Sequence, residues 1–177
     1  PASEVYLHEM PGGQFTNLLA QAKSLGLENK WPEIAKTYSE VNQIFGDIVK
    51  VTPSSKVVGD MALMMVAQGI SKNQVEDSNT EIIFPESVID MLKGNLGQPP
   101  GGFPINLIKK ALGKDAYIKE RPGSKIKQQS LLNIRKKVCL DLSLKEIDDE
   151  DFCSYLMYPK VFKDYLLHHS KYGPVRC

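Results

Sequence analysis

Apolar residues recur along much of this chain at three- and four-residue spacings, and Gly or Pro ends each run after a few turns. Phe15, Leu18, Leu19, Ala22 and Leu25 share one face of a helix that Gly26 is placed to stop. Pro32, with Glu33 behind it, opens a second helix whose buried stripe is Trp31, Ile34, Ala35, Tyr38, Val41 and Phe45. From about Lys56 to Gln68 the sequence is apolar on nearly all sides, which predicts a central helix. Pro85 opens another that ends at Lys93-Gly94, and Pro104 one that carries Ile105, Leu107, Ile108, Ala111 and Leu112 to Gly113. Asp148 can cap a helix through Phe152, Tyr155 and Leu156. Pro159 opens the last, with Val161, Phe162, Tyr165 and Leu166 inward and Gly173-Pro174 as its stop.

Three stretches read differently. Glu4 to Met10 alternates, with Val5 and Leu7 on one side and Tyr6 and His8 on the other, a strand-like pattern that Pro11-Gly12-Gly13 ends. Ser71 to Asn79 is polar and predicts a connector with a helical turn in it, and Arg121-Pro122-Gly123 a turn. Gly94 to Pro104 holds too much Gly and Pro for regular structure and predicts an ordered loop. The whole reads as seven or eight helices with little strand: a mainly α domain with one short extended N-terminal segment.

Composition narrows the class. A chain of 177 residues can bury one sizeable core, which predicts one compact domain. Its 42% hydrophobic and 24% charged residues are those of a globular protein, and a net charge of +1 gives no general pull toward nucleic acid or anionic membranes. Basic residues gather between Lys109 and Lys137 and acidic ones between Asp141 and Asp151, which reads as a mutually compensating solvated surface. No apolar run approaches the roughly 20 residues that span a bilayer. The start at Pro1 and the end at Cys177 suggest a piece of something longer. Cys139, Cys153 and Cys177 are odd in number and widely spaced, so reduced thiols are expected.

The candidate chemistry lies in Val51-Thr52-Pro53-Ser54-Ser55-Lys56-Val57-Val58-Gly59-Asp60. Hydroxyls before a helix have a structural use, since they accept hydrogen bonds from its unpaired N–H groups, and Thr52 or Ser55 can serve as such a cap. Lys56 falls in the first turn, where the positive end of the helix dipole repels it. It is either a surface charge or the partner of something anionic or carbonyl-rich that docks there. In the functional reading the Thr52 hydroxyl, donor and acceptor at once, passes a proton between two bound species, and Ser55 and Lys56 bind a ureido or carboxylate oxygen. Gly59 costs its helix about 1 kcal/mol relative to Ala, which suggests close approach of another backbone or a ligand. Elsewhere the signals are weak. His8, His168 and His169 bring no metal-ligand spacing, no nucleophile elbow is present, and Gly94 to Gly102 lacks the Lys-Ser/Thr ending of a phosphate loop.

The run from Val51 to Asp60 closely resembles the carboxyltransferase component of biotin-dependent pyruvate carboxylases. Other stretches agree in order: Pro11-Gly12-Gly13-Gln14 with Thr16-Asn17-Leu18, Phe45-Gly46-Asp47, Phe84-Pro85-Glu86-Ser87-Val88, Gly97-Gln98-Pro99 with Gly102-Phe103-Pro104, Arg121-Pro122-Gly123, and Tyr158-Pro159-Lys160-Val161-Phe162. Related oxaloacetate decarboxylases and transcarboxylases are similar here but tend to differ at the positions of Ser54 and Lys56.

The resemblance implies a helical funnel-type region that follows a TIM barrel, with residues 1–10 as the barrel's last strand and link and residues 11–177 as the post-barrel region. It implies that Thr52 relays a proton from the pyruvate methyl group to biotin, after carboxybiotin has released carbon dioxide, on the way to oxaloacetate. Ser55 and Lys56 would line the biotin pocket. The biotin rides on a carrier domain outside this chain. The divalent metal, pyruvate and ATP sites also map elsewhere, since His8-Glu9-Met10 is not the family's His-x-His. The partners implied are the barrel and carrier domain of the same parent protein, in a homo-oligomer. The compartment is a bacterial cytoplasm or a mitochondrial matrix, and the isolated chain is expected to be inactive. The competing readings are a fragment of a decarboxylase or transcarboxylase subunit, and a non-catalytic helical assembly module.

Overall fold

The computed structural model describes residues 3–113 and 117–173. The chain divides into two compact units, residues 1–126 and 127–177, which corrects the expectation of a single domain. The boundary falls at the polar run Lys127-Gln128-Gln129-Ser130, which offers no apolar side chain to continue a core.

In the first unit α1 (Glu4–His8), α2 (Gly12–Ser24), α3 (Trp31–Ile44), α4 (Ser54–Gln68), α5 (Lys72–Glu76), α6 (Glu86–Lys93) and α7 (Ile105–Leu112) are joined by short connections. Helix α4 is central, packed against α2, α3 and α6. Its Val57, Val58, Met61, Ala62, Leu63, Met65 and Val66 are all buried, as an all-round apolar helix must be. Leu18 of α2, Ile34, Tyr38 and Val41 of α3, and Val88, Met91 and Leu92 of α6 close around it. The methionines of α4 are therefore core filler.

The N-terminal segment is not extended. Glu4–His8 forms a helical turn closed by Glu9 in the left-handed region, φ 52°, whose N–H donates to the Val5 carbonyl. A lone strand would leave its backbone groups without a ladder partner, and a helical turn satisfies them locally. His8 therefore sits in the last turn of a helix, where a cation suits the dipole.

Several of the stretches that carry the family resemblance meet one another. Gly46, φ 92°, lies under the Pro104 ring, 3.3 Å from Cδ to where a Cβ would stand. Gln98 donates to the Ile118 carbonyl at 2.7 Å and accepts from the Tyr117 hydroxyl at 2.9 Å, which orders the Gly94 to Pro104 loop. A side chain at Gly94, φ 90°, would strike that same carbonyl. The Ser71 to Asn79 connector holds α5, begun by a Ser71/Gln74 capping box. It ends under Lys110 of α7, whose ammonium donates to the carbonyls of Gln74, Val75 and Asp77 at 2.6 to 2.8 Å.

The second unit holds α8 (Leu131–Leu142), α9 (Asp149–Met157) and α10 (Pro159–Tyr172) around Val138, Ile147, Phe152 and Phe162. Asp148 caps α9 as expected, accepting from the Asp151 N–H at 2.8 Å. The inward set expected for α10 is corrected: Phe162 is buried, while Val161 and Tyr165 are exposed. So small a unit has room for few side chains in its core. Within this unit Arg135 of the basic run pairs with Asp149 of the acidic one.

Candidate functional site

The site begins with the turn that delivers α4. The link Ile48 to Val51 leaves α3, and the Thr52-Pro53 peptide, which is cis, precedes the first helical residue, Ser54. Three of the first donors of the helix are met by backbone: Ser55 N–H reaches the Val51 carbonyl at 3.1 Å, and Lys56 and Val57 N–H reach that of Pro53 at 3.1 and 3.3 Å. No side chain caps this helix.

The capping use offered for Thr52 or Ser55 is therefore not taken up. Thr52 is exposed and its hydroxyl makes no hydrogen bond among the described residues, so it is not spent on the helix. Ser54 is the structural hydroxyl. Its Oγ lies 2.8 Å from the Val49 carbonyl and 2.6 Å from that of Val51, and accepts from the Val51 N–H at 3.1 Å. It thereby holds the residues on the N-terminal side of Thr52. Ser55 is buried, 6% exposed, with its carbonyl 3.3 Å from the hydroxyl of Tyr38 of α3. Burial pushes the Tyr38 phenol well above its ordinary range, so it remains a donor.

Lys56 is 58% exposed and its cation has a partner on its own helix, Asp60, at 2.7 Å. The spacing is i, i+4 with the cation first, the weaker order for a helix. Asp60, 18% exposed, is held in turn from α6, where the Ser87 hydroxyl donates to the same Oδ2 at 2.7 Å. One carboxylate oxygen thus receives both an ammonium and a hydroxyl. The ammonium retains N–H donors for a further oxygen.

Gly59 explains itself one turn along. A Cβ there would lie 2.5 Å from Gln14 Nε2 and 3.0 Å from Leu18 Cδ1, so the close approach is that of α2 and not of a ligand. The structure thus presents Thr52 and Lys56 at the surface with Ser55 beneath, and adds Ser54, Tyr38, Asp60 and Ser87. The Lys56 to Asp60 spacing was open to sequence reasoning. The role of Ser87, 27 residues away, was not, although its stretch is one of those that carry the resemblance.

Two clefts lie elsewhere. One of about 710 Å³ in the first unit is lined by residues of α3, α5 and α7, including Gln43, Val75 and Lys110. One of about 660 Å³ in the second unit is lined by Leu132, Arg135 and Ile147 among others. Neither includes Thr52, Ser55 or Lys56. Among the described residues no three His, Cys, Asp or Glu side chains are grouped to hold a metal ion.

Residues 5–177 match the family described as the conserved carboxylase domain. The pyruvate carboxylase of Bacillus subtilis is 47% identical over 175 residues, which are 99% of this chain and 15% of that protein. The mitochondrial pyruvate carboxylase of Rattus norvegicus is 43% identical over 173 residues, 98% of this chain and again 15% of the relative. The solved carboxyl transferase domain of Rhizobium etli pyruvate carboxylase with pyruvate and biocytin matches with a TM-score of 0.88 at 59% identity, over 99% of this chain and 29% of that one. The chain therefore belongs to the conserved carboxylase domain family, as a helical segment similar to part of the carboxyl transferase domain of pyruvate carboxylases.

Proposed function

We propose that this segment forms the biotin-receiving side of a carboxyltransferase site that converts pyruvate to oxaloacetate. The observation that carries the reading is the unspent Thr52 hydroxyl at the mouth of a helix whose Ser55, Lys56 and Val57 donors are already met by Val51 and Pro53. Biotin, when bound, supplies the carboxyl group. The residues present suit it: Lys56 offers ammonium donors for a ureido oxygen, and Ser55 lies buried beside it in the first turn of the helix.

Thr52 moves the proton. Its Oγ1 would accept one from the pyruvate methyl group while its own hydrogen passes to the second bound species, biotin, so the side chain never carries a net charge. Ser54 keeps the turn in place while this happens, through its contacts with Val49 and Val51. The metal, the pyruvate-binding groups and the ATP site belong to other parts of the parent protein, as do the barrel that precedes this segment and the biotin carrier domain. The parent is a homo-oligomer of a bacterial cytoplasm or a mitochondrial matrix.

The test is Thr52→Ala in the full-length protein. Oxaloacetate formation is lost while ATP-dependent carboxylation of biotin persists. If oxaloacetate is still formed at the wild-type rate, Thr52 is not the relay. The isolated 177-residue chain is expected to be inactive, and pyruvate-dependent decarboxylation of oxaloacetate by it would overturn that part.

A further inference from the structure

We propose that Asp60 and Ser87 are positioning residues for the Lys56 ammonium, and that they set the affinity of the site for biotin through it. The inference rests on the reading of Lys56 as a biotin contact, and it adds two residues that do not touch the ligand.

The geometry is specific. Asp60 Oδ2 accepts from Lys56 Nζ and from Ser87 Oγ, each at 2.7 Å, so α6 braces a side-chain pair that lies on α4. Helix packing alone does not call for this arrangement. The cation-first order at the start of a helix is the unfavourable one, and a half-exposed ion pair contributes little to a fold. A bare lysine on a four-carbon stem samples many rotamers. A carboxylate one turn along, itself anchored by a second helix, restricts that sampling and points the ammonium to one side. Ser87 is half-buried and its hydroxyl is committed to this carboxylate, so a group 27 residues away in sequence is tied to the orientation of Lys56. Functional side chains held by such a supporting layer bind more tightly because less freedom is lost on binding.

The experiment measures biocytin affinity by calorimetry in the full-length protein produced without biotinylation. Ser87→Ala weakens binding by about three- to fivefold, the size expected from loosening a half-exposed ion pair. Asp60→Asn weakens it at least as much, and Ser87→Thr, which keeps the hydroxyl, binds as the wild type does. The combination Lys56→Met/Ser87→Ala binds no worse than Lys56→Met alone, because Ser87 acts only through that lysine. A purely structural Ser87 would instead add its loss in full to that of Lys56→Met, and that result overturns the proposal. Unchanged affinity in Ser87→Ala and Asp60→Asn overturns it too, while a weakened Lys56→Met leaves the biotin reading standing. Unchanged affinity in Lys56→Met overturns both.

Discussion

Gln14 lies against Gly59 so closely that a methyl group at Gly59 would stand 2.5 Å from its Nε2, inside any contact real atoms make. Gln14 is buried and belongs to the Pro-Gly-Gly-Gln stretch at the start of α2, so two of the stretches that carry the family resemblance interlock. Gly59→Ala sets two effects against each other. Helix propensity improves by about 1 kcal/mol, and overpacking costs about 1–3 kcal/mol. Overpacking wins, because Leu18 Cδ1 at 3.0 Å blocks a second direction. Denaturant unfolding of the 177-residue chain is expected to show a net loss of about 1 kcal/mol, partly recovered in Gly59→Ala/Gln14→Ala.

The same glycine shows what could be read beforehand. That something approached it closely followed from a glycine inside a strongly apolar helix, and the burial of α4 followed from its lack of a polar face. What approached it did not follow, because Gln14 is 45 positions distant and its burial depends on tertiary packing. Helix α8 was illegible for a related reason: only Val138 of it is buried, while Leu131, Leu132 and Leu140 are exposed, so no clean stripe stood out of its basic surroundings. At the site, Thr52 and Lys56 were legible as residue types at a helix start. Their separation into a free hydroxyl and a braced cation required the backbone bonds of Val51 and Pro53 and the arrival of Ser87.

Ser54, rather than either hydroxyl beside it, is the test of how the Thr52 turn is held. Ser54→Ala removes the acceptor of the Val51 N–H and the donor to the Val49 and Val51 carbonyls. The expected loss is about 1 kcal/mol, the usual net worth of such bonds. Amide hydrogen exchange at Val51 should rise more than exchange in the body of α4. Equal changes in both would mean that Ser54 stabilises the helix generally and does not fix the turn.

Glu9 and Lys50 form a pair at 2.9 Å that ties the end of α1 to the link leading into the site. The Lys50 ammonium, by hydrogen bond first and by charge second, holds the Glu9 carboxyl below its ordinary value of 4.5. A carboxylate whose folded value is depressed binds fewer protons when folded, so its stabilisation is present above 4.5 and is lost as pH falls through the folded value. An NMR titration of the Glu9 side chain should therefore show a midpoint below 4.5, returning to it in Lys50→Met. A midpoint unmoved by that substitution would show that the pair does not persist in solution.

Arg135 offers the sharpest test of the second unit, because that unit has so few buried side chains to rely on. Its guanidinium lies over the Phe152 ring, 4.6 Å from the centroid, while Nη2 pairs with Asp149 and Nη1 points to the Ile147 carbonyl at 3.5 Å. Ile147 and Phe152 are two of the four buried residues in the core of this unit among the described residues, and Arg135 reaches both from α8. A planar, delocalised cation can stack on a ring and pair with a carboxylate at once, and a lysine ammonium cannot keep both geometries. Arg135→Lys should therefore weaken the unit by about 1 kcal/mol, and Arg135→Ala by about 2 kcal/mol, since the covering stem is lost as well. Hydrogen exchange at Phe152 and its neighbours in α9 reads this directly, with the first unit serving as the internal control. If Arg135→Lys retains full protection there, charge alone holds Asp149, and the stack on Phe152 contributes nothing measurable.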